Sequence, residues 1–302
     1  MTTPLECSWS GVFPAATTQF SADLALDLPA TCTVQSALVR DGVHGLVLLG
    51  TVGENNSLSA EEKRAVLKAA VGAVGGKVPL IAGVSELTTA NAAAYARDAE
   101  RIGVNGLMVL PAMVYVPTRA ELEYHLRTVA QATSLPVMLY NNPPAYRVSI
   151  EIESLERLAE LANVVALKES SPDPRRFTDV FNALGDRYVL FAGLDDFAFE
   201  ALALGARGWV SGLTNVFPVE SLALYEAIRS GQLERARRIY RWFMPLLHLD
   251  SEPDLVQSIK LAEAIMGRGS ERVRPPRLPL AGERRADVTE RVERARALRP
   301  EG

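Results

Sequence analysis

Eight short apolar runs, separated by stretches of helical composition, constrain this chain more than any other feature. They are GVFPAATT (11–18), GLVLLG (45–50), PLIAGV (79–84), GLMVLP (106–111), PVMLYN (136–141), VVALKES (164–170), YVLFAG (188–193) and GWVSGL (208–213). Each closes on Gly, Pro or a polar residue. They are continuously apolar rather than alternating, as strands buried on both faces of a parallel sheet are. Helical stretches fall between them. SAEEKRAVLKAAVGAV opens with Ser59 and carries Glu62 three residues on, a capping-box pattern. TTANAAAYARDAERIG starts on Thr and stops on Gly. Strand–helix alternation repeated eight times predicts a (β/α)8 barrel. The alternative is a doubly wound open sheet, but no GxGxxG follows the first run.

After residue 216 the pattern changes to consecutive helices with no strand between them: FPVESLALYEAIRS, QLERARRIYRWFMPLLHL and EPDLVQSIKLAEAIMG. A Pro-rich stretch and a charged amphipathic helix finish the chain. We read residues 1–225 as the barrel and 226–302 as a C-terminal helical extension packed on it. The 302 residues suffice for one such domain with its extension. A net charge of -4 gives no argument for nucleic acid or an anionic membrane surface. No apolar run approaches the length of about 18 residues that a membrane span needs. The N-terminus has neither a basic nor an apolar signal region. Cys7 and Cys32 stand in no metal or redox spacing. Together these point to a cytoplasmic protein. His44, His125 and His248 have no partner at ligand spacing, so no metal site is expected.

In a barrel of this kind, chemistry gathers at the C-terminal ends of the strands. Those ends read Thr17-Thr18, Gly50-Thr51, Gly83, Pro111, Tyr140-Asn141, Lys168-Glu169, Gly193 and Ser211-Gly212. Lys168 closes an apolar run. Burial there would disfavour the ammonium, and a neutral amine is a nucleophile toward carbonyls. Equally, a lysine at a strand end can reach out to solvent or pair with a carboxylate. Adjacent Glu169 would point the other way. Tyr140, one strand away, is within reach as a proton relay or serves only the barrel rim. The turn at Thr51 offers N–H groups and a hydroxyl to a carboxylate, or is simply a strand-to-helix turn. The stripe Tyr240, Trp242, Phe243, Leu246, Leu247 reads as core or subunit interface.

The order of these elements carries a resemblance. GVFPAATT is followed by GTVGE (50–54), YNNP (140–143), LKES (167–170) and GLDD (193–196). The set resembles the dihydrodipicolinate synthase / N-acetylneuraminate lyase superfamily over roughly residues 8 to 280. That resemblance implies a Schiff base at Lys168, with no other cofactor, and a proton relay through Tyr140. It implies that Thr51 and the N–H of Val52 hold the substrate carboxylate. Gly193, Asp195, Ser211 and Gly212 would line the distal pocket. The substrate would be a small 2-oxo acid or its cyclic imine, and the assembly a homotetramer built as a dimer of dimers.

The departures from the pattern also matter. Val52 replaces a hydroxyl residue. The synthases carry a Tyr after strand four that reaches a neighbouring subunit; here Met113 stands in its place, and Tyr115 is offset by two. They carry an Arg shortly after YNxP; here that position is Ala145, followed by Tyr146 and Arg147. Tyr115 and Tyr146 are therefore candidate relay or pocket residues. These departures speak against lysine biosynthesis. GVFPAATTQF, PAMVY, LYNNPPAY, LKESS and LLHLD together look most like the 1-pyrroline-4-hydroxy-2-carboxylate deaminase subgroup, a resemblance that implies formation of 2-oxoglutarate semialdehyde and ammonia. A 2-keto-3-deoxy sugar-acid dehydratase or aldolase, the synthase itself, and a non-catalytic acid-binding barrel are the alternatives.

Overall fold

The computed structural model describes residues 3–112 and 115–300. The eight runs form eight parallel strands: β1 (Gly11–Pro14), β2 (Leu46–Leu48), β3 (Leu80–Val84), β4 (Gly106–Val109), β5 (Val137–Asn141), β6 (Val164–Glu169), β7 (Val189–Ala192) and β8 (Gly208–Ser211). Every residue of every strand is buried. Neighbours pair in ring order from β2 round to β8 and on to β1. The ring closes through an Ala15–Val47 bridge, where the Ala16 N–H donates to the Val47 carbonyl at 2.9 Å. This is the (β/α)8 barrel.

The helices begin where short-range chemistry says they should. Ser59 and Glu62 close the capping box of the helix Ala60–Val74. Thr88 caps Thr89–Ile102, which ends on Gly103 at φ 97°. The helix Leu28–Arg40, capped by Asp27, has no counterpart in the sequence reading. Its apolar positions are diluted by Thr31, Thr33 and Gln35, so its periodicity is weak. The eighth barrel helix, Pro218–Arg229, runs across the residue 225/226 division, and the barrel proper ends after it.

The extension holds the helices Leu233–Leu247, Leu255–Ile265 and Gly282–Ala297. The stripe of the first is core. Phe243, Leu246 and Leu247 are fully buried, and Trp242 packs edge-on against Phe217 of the barrel. The second helix reaches deeper. Lys260 Nζ donates to Glu54 at 2.7 Å and to the Thr18 carbonyl at 2.8 Å, with both charged side chains wholly buried. Glu263 accepts from Thr17 at 3.0 Å. Arg274 forks onto Glu62. The extension therefore grips the C-terminal rim of the barrel, the end where loop residues collect.

Candidate active site

The register of β5 on β6 sets Tyr140 directly beside Lys168. Both side chains point into the barrel mouth. Lys168 Nζ lies 3.9 Å from the centroid of the Tyr140 ring. Among the described residues no carboxylate forms an ion pair with it. Glu169, the next residue, points away as strand alternation requires. It accepts from Asn141 Nδ2 at 2.9 Å and from the Ser171 N–H at 2.7 Å. Burial is the main cause that pushes the Lys168 pKa down; Asp250, Tyr146 and Asp195 oppose it.

A cavity of about 240 Å³ opens over this amine. Thr51, Val52, Tyr140, Tyr146, Gly193 and Gly212 line it, together with Asp250 and Arg277 from the extension. The Tyr140 and Tyr146 rings meet edge-on, 5.6 Å apart. The Tyr146 hydroxyl has the Thr51 hydroxyl and the Tyr140 phenol as polar neighbours. Asn142 Nδ2 donates to the Tyr140 hydroxyl at 2.9 Å. Burial raises both phenol pKa values, so both stay protonated and able to donate. Thr51 sits in a tight turn framed by two left-handed non-glycine residues, Leu49 (φ 56°) and Glu54 (φ 53°). The turn sends the Glu54 side chain inward to Lys260 and leaves Thr51 facing the cavity.

Three expectations need correction. Asp195 and Ser211 do not line the cavity but lie fully buried behind its lining. Asp195 accepts from Trp209 Nε1 at 2.8 Å, from Ser211 Oγ at 3.1 Å and from the Leu213 N–H at 2.8 Å. An acidic residue with three donors is fixing the loops after β7 and β8, not awaiting a ligand. Tyr115 is 61% exposed and donates to Glu121 at 2.8 Å, outside the cavity. Met113 lies outside the described residues. Gly193 and Gly212 do line the cavity, and each must be glycine for space. A Cβ on Gly193 would come within 2.9 Å of Lys168 Cγ, and one on Gly212 would overlap Asp250 Oδ1. Thr17 and Thr18 are tied to Glu263 and to the Gly53 carbonyl. His44, His125 and His248 all have structural partners: the Val12 N–H, Thr89 with the Leu110 carbonyl, and Asp196.

Strand-end reading could not find Asp250 and Arg277, because neither follows a strand. The only local signal is an acidic residue between Leu249 and Ser251, straight after an apolar helix.

A buried lysine at the end of the sixth strand of a parallel barrel, stacked on a tyrosine from the fifth, defines a class of carbonyl-handling barrel enzymes. Comparison with known proteins specifies the family. Residues 8–295 match the Dihydrodipicolinate synthetase family, and the chain belongs to it. It is 38% identical over 274 residues to 4-hydroxy-tetrahydrodipicolinate synthase of Kineococcus radiotolerans, covering 90% of this chain and 88% of that one. Dihydrodipicolinate synthase from Aquifex aeolicus superposes with a TM-score of 0.91 at 28% identity, covering 95% of this chain and 98% of that one. A prophage protein of the dihydrodipicolinic acid synthase family from E. coli K12, solved in complex with pyruvate, gives 0.90 at 27% identity, covering 96% and 99%. Among the described residues, no helix is long and apolar enough to cross a membrane.

Proposed function

We propose that this chain is a lyase that binds a small 2-oxo acid as a Schiff base on Lys168. The observation that carries this reading is the amine itself: buried, without an ion-pair partner among the described residues, stacked on Tyr140 and open to a cavity. The neutral amine attacks the C2 carbonyl, and the carbinolamine oxygen departs as water with a proton supplied through Tyr140. Tyr146 and Thr51 extend that relay within one chain. The N–H groups and hydroxyl at Thr51-Val52 hold the carboxylate. The resulting iminium draws electrons from C3 and acidifies its protons. Loss of one gives an enamine, the carbon nucleophile.

For the finer activity, the relatives shift the expectation drawn from sequence. Curated relatives 31% and 38% identical carry the name 4-hydroxy-tetrahydrodipicolinate synthase, a name that supports condensation rather than deamination. We therefore place condensation of pyruvate with aspartate β-semialdehyde first. Arg277 strengthens it. This cation lines the cavity, is anchored on Ser57 Oγ at 3.2 Å, and forms no ion pair among the described residues. It offers a second carboxylate the partner that Ala145 cannot. Deamination of 4-hydroxy-1-pyrroline-2-carboxylate is the second reading, favoured by Ala145 and by the outward-facing Tyr115. Leu87, Tyr115, Val116 and Tyr124 expose large apolar surface around one region, which supports self-association of the kind the family resemblance implies.

The test offers the purified protein pyruvate with borohydride, then pyruvate with aspartate β-semialdehyde, and separately the pyrroline. An adduct on Lys168 by mass spectrometry is expected, with product from the first pair. Ammonia release from the pyrroline without condensation would select the second reading. No adduct from any of them would overturn the Schiff-base reading.

A further inference from the structure

The relay through Tyr140, Tyr146 and Thr51 serves one side of Lys168. The other side, toward β7 and β8, holds a carboxyl that it does not use. Asp250 lies in a short helical turn, His248–Ser251, between the first two helices of the extension. Asp196 grips this turn at both ends, pairing with His248 Nδ1 at 3.0 Å and accepting from Ser251 Oγ at 2.8 Å. Between them, Leu249 is buried and Asp250 faces the cavity. The Asp195 backbone N–H is a polar neighbour of the Asp250 carboxyl, which lies against Gly212. It lines the same cavity as Lys168.

We propose that Asp250 is a second proton-transferring residue of this site: its neutral carboxyl donates to the oxygen on the substrate carbon that joins or leaves the enamine. The proposal rests on the Schiff-base reading above and adds the distal half of the chemistry. In condensation, the enamine carbon bonds to the aldehyde carbon. The carbonyl π pair moves to oxygen, and the oxygen takes the Asp250 proton. The enamine returns to the iminium, and Asp250 is left as carboxylate. In elimination, the enamine pair forms the new C3–C4 double bond. The C4–O bond breaks toward oxygen, and the same proton makes the leaving group water. Either way Asp250 must recover one proton per turnover.

The surroundings let Asp250 give up and regain a proton near neutral pH. It faces the cavity, whereas Asp195 lies fully buried behind the lining with its oxygens taken by three donors. Burial raises the pKa of both carboxyls, and the Asp250 charge raises that of Asp195 further. Burial pushes the Asp250 pKa up to about 6 against the pull of Lys168, in the range where a carboxyl serves as a general acid.

Three readouts test this on the full chain. They are borohydride trapping of pyruvate on Lys168, deuterium exchange at the pyruvate methyl group, and turnover of whichever substrate the wild type consumes. Asp250→Asn keeps the shape and a carbonyl oxygen that can face the Asp195 N–H, but has no acidic proton. Trapping and exchange should stay within about threefold of wild type while turnover falls about 100-fold or more. Turnover of Asp250→Asn within about threefold of wild type would overturn the proposal. So would trapping and exchange falling in step with turnover, which would make Asp250 a support for Lys168. A wild type that forms no adduct fails at the Schiff base itself, a different result, and the proposal falls with it.

Discussion

Of the lysines buried among the described residues, Lys260 and Lys168 sit in opposite settings. Lys260 Nζ is tied to Glu54 and to the Thr18 carbonyl, with the Phe20 ring 4.6 Å away. Lys168 Nζ lies on the Tyr140 ring with no ion pair among the described residues. Burial lowers both pKa values, but Glu54 pulls that of Lys260 back in direct contact. The first lysine is held charged and joins the extension to the Thr51 turn. The second is left free to be neutral, beside a cavity. Burial alone does not make a lysine reactive; burial without a contacting counter-charge does.

Exchange of each lysine tests the contrast. Lys168→Ala should abolish adduct and turnover, by about a thousandfold or more. Its melting temperature should hold or rise, because a poorly solvated amine has been removed. Lys260→Met should do the reverse at first order. Leaving Glu54 buried without its cation should cost about 3–5 kcal/mol in denaturant unfolding. Adding Glu54→Gln should recover much of that loss; no recovery would mean that Lys260 acts through packing instead.

A smaller effect separates the relay from the nucleophile. Tyr140→Phe should slow turnover by about a hundredfold while its thermal melt stays near wild type. Unchanged kinetics would reduce Tyr140 to a wall of the cavity.

The pH dependence follows from the direction of the Lys168 shift. The neutral amine reacts, so adduct formation should rise with pH and level off below the ordinary lysine value of 10.5. The unfolded chain holds more protons than the folded one between the lowered pKa and that value. The Lys168 contribution to stability therefore rises with pH across this window. Stability curves of wild type and Lys168→Met should converge there. The smallest effect is expected of Tyr115→Phe, whose hydroxyl meets only Glu121 outside the cavity; turnover should change less than about twofold.

Much of the fold was legible because strand burial leaves a direct trace. A strand covered on both faces must be apolar throughout, and VVALKES and GLVLLG are. Helix starts were legible at Ser59 and Thr88, where a cap needs only nearby residues. Leu28–Arg40 was not, because its helix rests on packing against the barrel more than on its own pattern. The strand-end rule found Lys168, Tyr140 and Thr51. The family resemblance put Asp195 and Ser211 in the distal pocket, but their places in a motif say nothing of which neighbours absorb their polar atoms.

The sequence by itself determined the barrel, the lysine near the end of β6 and the tyrosine near the end of β5, because strand burial and side-chain alternation are local properties. Only the tertiary structure decided which buried lysines are paired, and that two separate stretches of the extension bring Asp250 and Arg277 over the cavity. Those contacts join residues far apart in the chain: 206 positions separate Lys260 from Glu54. No short-range pattern encodes such a separation; it is set when the extension packs onto the rim.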